Sequence, residues 1–441
     1  MIDAAPAAVS GLAANLARRD IHYGWVVAGV TFLTMLVTAG AVGAPGVLIV
    51  PLQKEFGWTA EQISTALAIR LLLFGLLGPF AAAFINYFGM RKVVSIALAV
   101  IFSGLLASLW MTQLWQLVLL WGIVVGFGTG LTAMVLGATV ATRWFTARRG
   151  LVVGLMSAST ATGQLVFLPL LAVLTEAYGW RSALTFVLGL ILVAALAVIS
   201  LMRDRPSDLG LAPYGEPVVP GSTAQPPQAL RLSSLVLSPL TSLRDAAKTQ
   251  TFWVLFGTFF VCGASTNGLV QTHFIALCGD YGLMAVTAAG MLAVIGIFDF
   301  FGTLGSGWLS DRYDNRLLLF AYYGLRGLSL LALPFMDISV WGLTLFAVFY
   351  GLDWVATVPP TVKLTADRFG RERANLVFGW VFAGHQLGAA AAAYGGGFAR
   401  TEFASYMPAF VIAGAMCLVA AAMALTLGGR KDEIAGLPQA A

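Results

Sequence analysis

Long apolar runs separated by short polar turns make up most of the sequence. A helix that crosses a membrane needs about 20 mostly apolar residues, and twelve runs meet this requirement. They cover residues 23–50, 59–85, 93–111, 115–142, 150–175, 181–202, 251–278, 284–310, 316–336, 340–366, 374–399 and 404–428. The pattern therefore predicts an all-α integral membrane protein with six transmembrane helices in each half of the chain.

The two sets of six helices repeat one another. Arg91 and Arg316 lie in equivalent turns, as do Gly57 and Gly282, and both pairs are 225 positions apart. The same separation relates Arg143 to Arg368, Arg148 to Arg373, Gly154 to Gly379 and Gly163 to Gly388. One separation that relates turns and helices alike indicates two copies of a single six-helix unit.

The longest polar segment, residues 203–250, lies between the two sets of helices and is rich in proline. We interpret it as a linker, with a short surface helix possible near its end. The chain is thus predicted to comprise a tail at 1–22, a six-helix half at 23–202, a second half at 251–428 and a tail at 429–441.

Composition supports the membrane class, because charged residues are only 10% of the chain and soluble domains carry about a quarter. The net charge of +5 is less informative than its placement. Nineteen lysines and arginines fall on one side of the predicted topology, and only Lys54, Arg181 and Arg400 fall in loops on the other. The positive-inside rule predicts cytoplasmic termini and linker in a multi-pass cell-membrane protein. No nucleic-acid partner is expected.

Motifs for metal binding and catalysis are absent from the sequence. Cys262, Cys278 and Cys417 lie in or at the end of apolar runs, without the spacing of metal ligands or a disulfide framework. No zinc-protease, nucleophile-elbow or nucleotide-binding motif occurs. We therefore expect no cofactor, no metal and no enzymatic activity.

Twelve helices in two similar halves around a long central loop resemble the major facilitator superfamily. The superfamily's loop signature is largely kept between helices 8 and 9, at Gly307, Asp311, Arg312 and Arg316. In the first copy, Asn86 replaces the acid. The resemblance implies a secondary transporter with one site between two pseudo-symmetric halves, worked by alternating access. We expect the functional unit to be a monomer.

Within the superfamily, the chain is most similar to the monocarboxylate porter and oxalate/formate antiporter group. Residues 23–27 resemble that group's start of helix 1, and residues 144–149 resemble its helix 4–5 signature. Asp299 falls where eukaryotic members carry an acid, although Thr303 replaces their following Arg. The resemblance implies transport of a small organic anion, with monocarboxylates as the indicated class, by proton symport or anion exchange. Two alternatives stay open: efflux of amphiphilic compounds, and a receptor that binds without transporting.

Ionisable and polar residues inside the predicted helices are functional candidates, because they are costly in hydrocarbon. The candidate substrate-binding residues are Arg70, Gln164, Asn267, Gln271, Tyr350 and His385. The buried charges Asp299, Arg326 and Asp353 form either a static ion pair or a proton-coupling site. The charged turns predict a gate made by Asp311, Arg312, Arg143, Arg148, Arg368 and Arg373. Lys363 is close enough to a helix end to extend its charge to the surface.

Arg70 is the basis of the anion hypothesis. It is the one deep charge of the first half, where no acid lies at a similar depth. Its planar set of donors suits a carboxylate. Four kinds of compensation remain open at this point: the substrate, water, backbone carbonyls, or Asp299 or Asp353 from the second half.

Overall fold

The protein was analysed as a computed structural model. The described residues are 15–16, 18–19, 21–132, 134–148, 152, 155–156, 159–160, 163, 167–216, 232–336 and 338–427. Gln164 lies outside them. Within these ranges, the side chains at 82–83, 86, 134–135, 142, 232–236, 238, 371–373 and 375 are also outside the description.

Twelve helical segments of the described chain follow the predicted apolar runs. They are α1 Gly24–Phe56, α2 Ala60–Phe88, α3 Met90–Ser108, α4 Leu114–Ala141, α5 Leu168–Tyr178, α6 Trp180–Leu201, α7 Gln250–Asp280, α8 Ala285–Ser310, α9 Asn315–Phe335, α10 Val340–Phe369, α11 Arg371–Phe403 and α12 Met407–Leu425. Among the described residues, eleven are long and apolar enough to cross a membrane. The exception, α5, overlaps the end of the predicted run at 150–175, part of which lies outside the described residues.

The turns at one end of the bundle show the repeat in their backbone. Gly57 and Gly282, which follow α1 and α7, have φ of 71° and 81°. Gly179 and Ala404, between the last two helices of each half, have φ of 84° and 53°. Both pairs are 225 positions apart, so the halves adopt a left-handed residue at matching points. Ala404 does so without the freedom of glycine.

Several transmembrane helices are interrupted or widened. In α1 the interruption falls at Ala44, before Pro45. In α10 it falls between Asp353 and Val358, just ahead of the proline pair at 359–360 that lacks N–H donors. Wider π-helical turns occupy Val118–Val125 in α4 and Ala264–Val270 in α7.

The two halves meet along close helix contacts. A Cβ atom on Gly46 of α1 would lie 2.6 Å from the Gln271 carbonyl oxygen of α7, so only glycine permits this approach. At the end of the bundle that carries the left-handed turns, the Tyr394 hydroxyl of α11 donates to the Glu61 carboxylate of α2 over 2.6 Å. The halves are therefore in contact at that end.

The linker is attached to the opposite end, which we call the basic end because Arg91, Arg143, Arg312 and Arg316 lie there. The Arg91 N–H donates to the Asp204 carboxylate over 2.8 Å at the start of α3. A linker helix, Leu232–Ala246, follows. The Trp380 indole N–H of α11 donates to the Pro239 carbonyl in this helix over 2.8 Å. The linker thus contacts both halves.

Candidate functional site

Arg70 is buried near the interruption of α1, with 4% of its surface exposed. Its Nη1 donates to the Ala41 carbonyl over 3.3 Å and its Nη2 to the Val42 carbonyl over 2.8 Å. Pro45 explains the first bond, because it has no N–H to offer the carbonyl four residues earlier. Of the compensations left open by the sequence, the structure therefore shows backbone carbonyls.

Carbonyl oxygens satisfy only part of the Arg70 guanidinium. Its Nε has no hydrogen-bond partner, and no carboxylate of the described residues forms a salt bridge with it. A buried charge without an opposite charge is expensive. The side chain therefore retains the capacity to bind an anion.

A small cavity joins Arg70 to the second half of the protein. It measures about 10 Å³ and is lined by Arg70, Asn267 and Gln271, together with residues of the α1 interruption. This is space for about one water molecule. The Gln271 side-chain nitrogen is buried without a partner. Two residues that each keep an unsatisfied donor, one from each half, thus line the same cavity.

Three of the predicted substrate-binding residues line this cavity, and others do not. The Tyr350 hydroxyl donates to the Ser265 carbonyl over 2.7 Å inside the second half. The His385 ring stacks on Phe382, with centroids 5.6 Å apart, and its Nδ1 lies 3.3 Å from the Gln386 amide nitrogen. Neither residue lines the Arg70 cavity.

Arg326 and Asp353 form a buried ion pair. Arg326 Nε lies 2.6 Å from Asp353 Oδ2, and its side chain is 0% exposed. Its Nη2 donates to the carbonyls of Asp353 and Trp354, and its Nη1 contacts the Cys262 sulfur at 3.0 Å. Asp353 Oδ1, in contrast, is buried without a partner. The arginine is fully coordinated, whereas the acid keeps one free oxygen.

Asp299 completes this arrangement by holding the interruption of α10. Its Oδ1 accepts the Val355 N–H and the Thr303 hydroxyl, each over 2.9 Å. Ser306 donates to the Ala356 carbonyl over 2.5 Å. Pro360 releases the Ala356 carbonyl, which Ser306 of α8 satisfies, just as Pro45 releases the carbonyl that Arg70 satisfies. The other free backbone groups at the α10 interruption are held by Asp299 of α8 and Arg326 of α9. Backbone carbonyls were among the partners that the sequence left open for Arg70, whereas the backbone partners of Asp299 and Arg326 at the α10 interruption were not expected. The proline pair was the available signal for them.

The predicted gate residues lie at the basic end. Lys363 Nζ is 3.2 Å from Asp311 Oδ1 and donates to the Ser310 carbonyl over 2.7 Å, so Lys363 contacts an acid of its own half. The Arg312 guanidinium lies over the Trp308 ring, 4.1 Å from its centroid.

The remaining gate candidates differ in how far they are exposed. Arg143 is partly buried, and burial together with the nearby Arg205 lowers its pKa, an effect that Asp204 and Asp208 of the linker partly offset. Arg148 is exposed, with a left-handed φ of 59°, and Arg368 is partly exposed. The side chain of Arg373 lies outside the described residues.

The other end of the bundle has a wide cavity of about 940 Å³ between the halves. Lys54 and Glu176 line it from the first half, and Asp280 and Arg400 from the second. Arg400 Nε lies 2.9 Å from Asp280 Oδ2. This cavity is separate from the one at Arg70, with which it shares no lining residue.

The sequence is similar to those of several known membrane transporters. The chain is 27% identical to monocarboxylate transporter 13 of Bos taurus over 92% of its own length and 90% of that protein. It is 28% identical to monocarboxylate transporter 11 of Homo sapiens, covering 90% and 82%. It is also 23% identical to the uncharacterized MFS-type transporter YcxA of Bacillus subtilis, covering 84% and 86%.

A solved structure and a family profile agree with these relatives. The crystal structure of a D-xylose-proton symporter superposes with a TM-score of 0.70 at 15% identity, covering 92% of this chain and 98% of that one, and so shares its fold. The profile of the Major Facilitator Superfamily matches residues 31–362, well over half of the chain. The protein therefore belongs to the Major Facilitator Superfamily of membrane transporters.

Proposed function

We propose that the protein is a secondary transporter of a small organic anion, with monocarboxylates as its substrate class, and that it works by alternating access. The observation that carries this proposal is the buried Arg70 guanidinium, which has no acid partner among the described residues and borders a cavity between the halves. An anion there would compensate the charge. The names of the bovine and human relatives support the choice of monocarboxylates.

The position of the site fits a substrate that both halves must hold. Arg70 belongs to the first half, whereas Asn267 and Gln271 come from the π-helical part of α7 and the residue after it. A carboxylate could accept from Arg70 and from the Gln271 amide together. The present cavity is too small for it, so binding requires the halves to separate at this point. Alternating access supplies such a motion.

The buried charges of the second half are proposed as the coupling site. Asp353 Oδ1 has no partner and can receive a proton. A proton on Asp353 would weaken its ion pair with Arg326, and Arg326 also holds two carbonyls at the α10 interruption. Protonation would thereby loosen this part of α10. Proton symport follows from this arrangement, and anion exchange would follow if the acid stays ionised.

The basic end is proposed to face the cytoplasm. This orientation rests on the bias of lysine and arginine, as the positive-inside rule requires. The gate formed by Asp311, Arg312, Arg143, Arg148, Arg368 and Arg373 would then close the cytoplasmic side. The Glu61–Tyr394 contact would close the outer side. A single chain contains the whole Arg70 cavity, so we propose that the monomer is the functional unit.

Arg70→Lys tests the substrate assignment. Lysine keeps the charge but loses the planar set of donors, and a hydrogen bond to a charged group is worth about 1.5–3 kcal/mol. We therefore expect carboxylate binding to the purified protein to weaken about 10- to 100-fold, and binding of a neutral amide analogue to weaken less. The exposed Arg244→Lys on the linker helix is the matched control.

Three outcomes would count against the proposed function. If Arg70→Lys lowers thermal stability without ligand but leaves carboxylate affinity unchanged, Arg70 is structural. If the purified protein binds carboxylates while reconstituted vesicles show no flux, the protein is a receptor. Flux of amphiphilic compounds without carboxylate flux would favour the efflux alternative.

A further inference from the structure

A second cavity of about 10 Å³ lies beside the one at Arg70, within the first half of the protein. Its walls include Met35, Thr38, Val42, Phe74, Thr129 and Thr132. Val42 also lines the Arg70 cavity, so the two spaces share a wall. Any ligand that enters one of them is directly next to the other.

The two cavities are about one helical turn apart. Phe74 follows Arg70 by four residues in α2, and Thr38 precedes Val42 by four residues in α1. Four residues of α-helix correspond to about 6 Å along the axis. A molecule with its charged end at Arg70 would therefore place atoms in the second cavity if it extends by about this length.

The second cavity is lined by apolar groups and by hydroxyl oxygens that can only accept hydrogen bonds. The Thr38 hydroxyl donates to the Thr34 carbonyl over 2.8 Å, and the Thr129 hydroxyl to the Val125 carbonyl over 2.9 Å. Thr132 likewise donates to the Thr129 carbonyl, over 3.1 Å. The hydroxyl protons are thus used within the helices. What remains for a ligand are methyl groups, the Met35 thioether, the Phe74 ring and oxygen lone pairs.

Charged ligand groups are unsuited to this space. None of the described lining residues carries a charge, and the threonines have no hydroxyl proton left to donate. A carboxylate moved into the cavity would lose its water without gaining a compensating donor, which is strongly unfavourable. An alkyl group has no hydrogen bonds with water to lose, and a ligand hydroxyl could donate to a threonine oxygen.

We propose that this cavity is a tail subsite, which takes the short apolar tail of an acid whose carboxylate lies at Arg70 and Gln271. The inference rests on the proposed function and deepens it. Each cavity has space for only about one water molecule, so the tail enters as the walls separate. The subsite selects acids with one carboxylate and a tail of several carbons, and it discriminates against dicarboxylates.

A chain-length series measures the subsite directly. The purified full-length protein is titrated with acetate, propanoate, butanoate and pentanoate, and with the dicarboxylates succinate and glutarate. We expect affinity to rise about fourfold for each methylene that enters the subsite and then to level off. A dicarboxylate is expected to bind at least about tenfold more weakly than the monocarboxylate of equal length.

Two variants change the subsite without touching Arg70. Phe74→Leu removes ring volume and is expected to shift the preferred chain length upward, with acetate affinity unchanged. Thr132→Val keeps the shape but removes the oxygen, so it should weaken binding of 3-hydroxybutanoate relative to butanoate. The matched control is Phe349→Leu, at an exposed position of α10. It should change neither the chain-length preference nor the affinity for 3-hydroxybutanoate relative to butanoate.

The outcomes separate the two proposals. If carboxylates bind in an Arg70-dependent way but both variants keep the wild-type chain-length and hydroxyl profiles, the tail subsite is wrong and the proposed function stands. If no carboxylate binds the wild-type protein, the proposed function fails and the subsite with it. Should Phe74→Leu melt at a lower temperature without ligand, Thr132→Val alone decides.

Discussion

Replacing Asp353 by Asn tests whether the buried ion pair couples transport to protons. The change keeps the side-chain shape but removes the acid beside Arg326, whose side chain is 0% exposed. Breaking a buried pair costs about 3–5 kcal/mol, because the other charge is left unpaired. Arg326 would keep the carbonyls of residue 353 and Trp354 and the thiol of Cys262. We therefore expect Asp353→Asn to lower the free energy of unfolding by an amount near the lower limit of this range, about 3 kcal/mol.

The assay has a stability arm and a transport arm. Unfolding of the purified variant gives the stability loss, and reconstituted vesicles give uptake driven by a pH gradient and, separately, exchange of labelled acid. Asp353→Asn should abolish pH-driven accumulation and spare exchange. Asp314→Asn is the matched control, because its pair with Arg316 is also 2.6 Å long but partly exposed. Such a pair contributes no more than about 1 kcal/mol.

Three results would refute this reasoning. Unchanged stability of Asp353→Asn would mean that Arg326 does not depend on the acid. Intact pH-driven uptake in both Asp353→Asn and Asp299→Asn would remove the buried carboxylates from coupling altogether. A stability loss with normal pH-driven uptake would leave the pair as a static connection between α9 and α10.

Three further predictions concern the basic end. Asp311→Asn should impair transport in vesicles far more than Asn86→Asp, because only the second copy of the loop keeps its acid; equal effects would contradict the gate. A cysteine introduced by Gln225→Cys in a Cys-free background should resist an impermeant reagent added outside intact cells, and labelling there would reverse the topology. The hydrogen bonds from Arg316 hold the pKa of Asp314 below its usual value. This pair should therefore stabilise the protein above about pH 4 and lose its effect as the pH falls further. If the free energy of unfolding that Asp314→Asn removes becomes larger on acidification, this prediction is wrong.

Hydrophobic patterning predicted the helices well, because a helix that crosses a bilayer needs a run of about 20 apolar residues. It predicted helix ends less well. The α1 helix continues past residue 50 to Phe56, since backbone hydrogen bonding does not stop where side chains become polar. The break in α10 was predictable from its proline pair, because proline removes donors wherever the helix lies.

The site was only partly predictable. The sequence identified Arg70 as an uncompensated charge, and its residue type and depth were sufficient for that. Backbone carbonyls were among the compensations left open for it, but Ala41 could not be singled out, because its carbonyl belongs to another helix and is made available by Pro45. The contact of Lys363 with Asp311 was missed for a similar reason: it depends on how α10 passes α8 in three dimensions.

The repeat of 225 positions has a consequence for the energetics of the transport cycle. The halves share a backbone plan, down to the left-handed residues at their turns, yet their buried charges are not equivalent. The positions that correspond to Arg70, Asp299 and Asp353 in the opposite half are occupied by Ile295, Phe74 and Gly128. Duplication thus supplied a symmetric scaffold, and divergence gave an unpaired cation to one half and acids to the other. Because each half has six helices, both halves lie in the same orientation across the membrane, and the repeat relates them by rotation about the membrane normal. The repeat therefore does not interconvert the inward- and outward-facing forms. We infer that these forms differ in free energy, so that the empty protein rests preferentially in one of them.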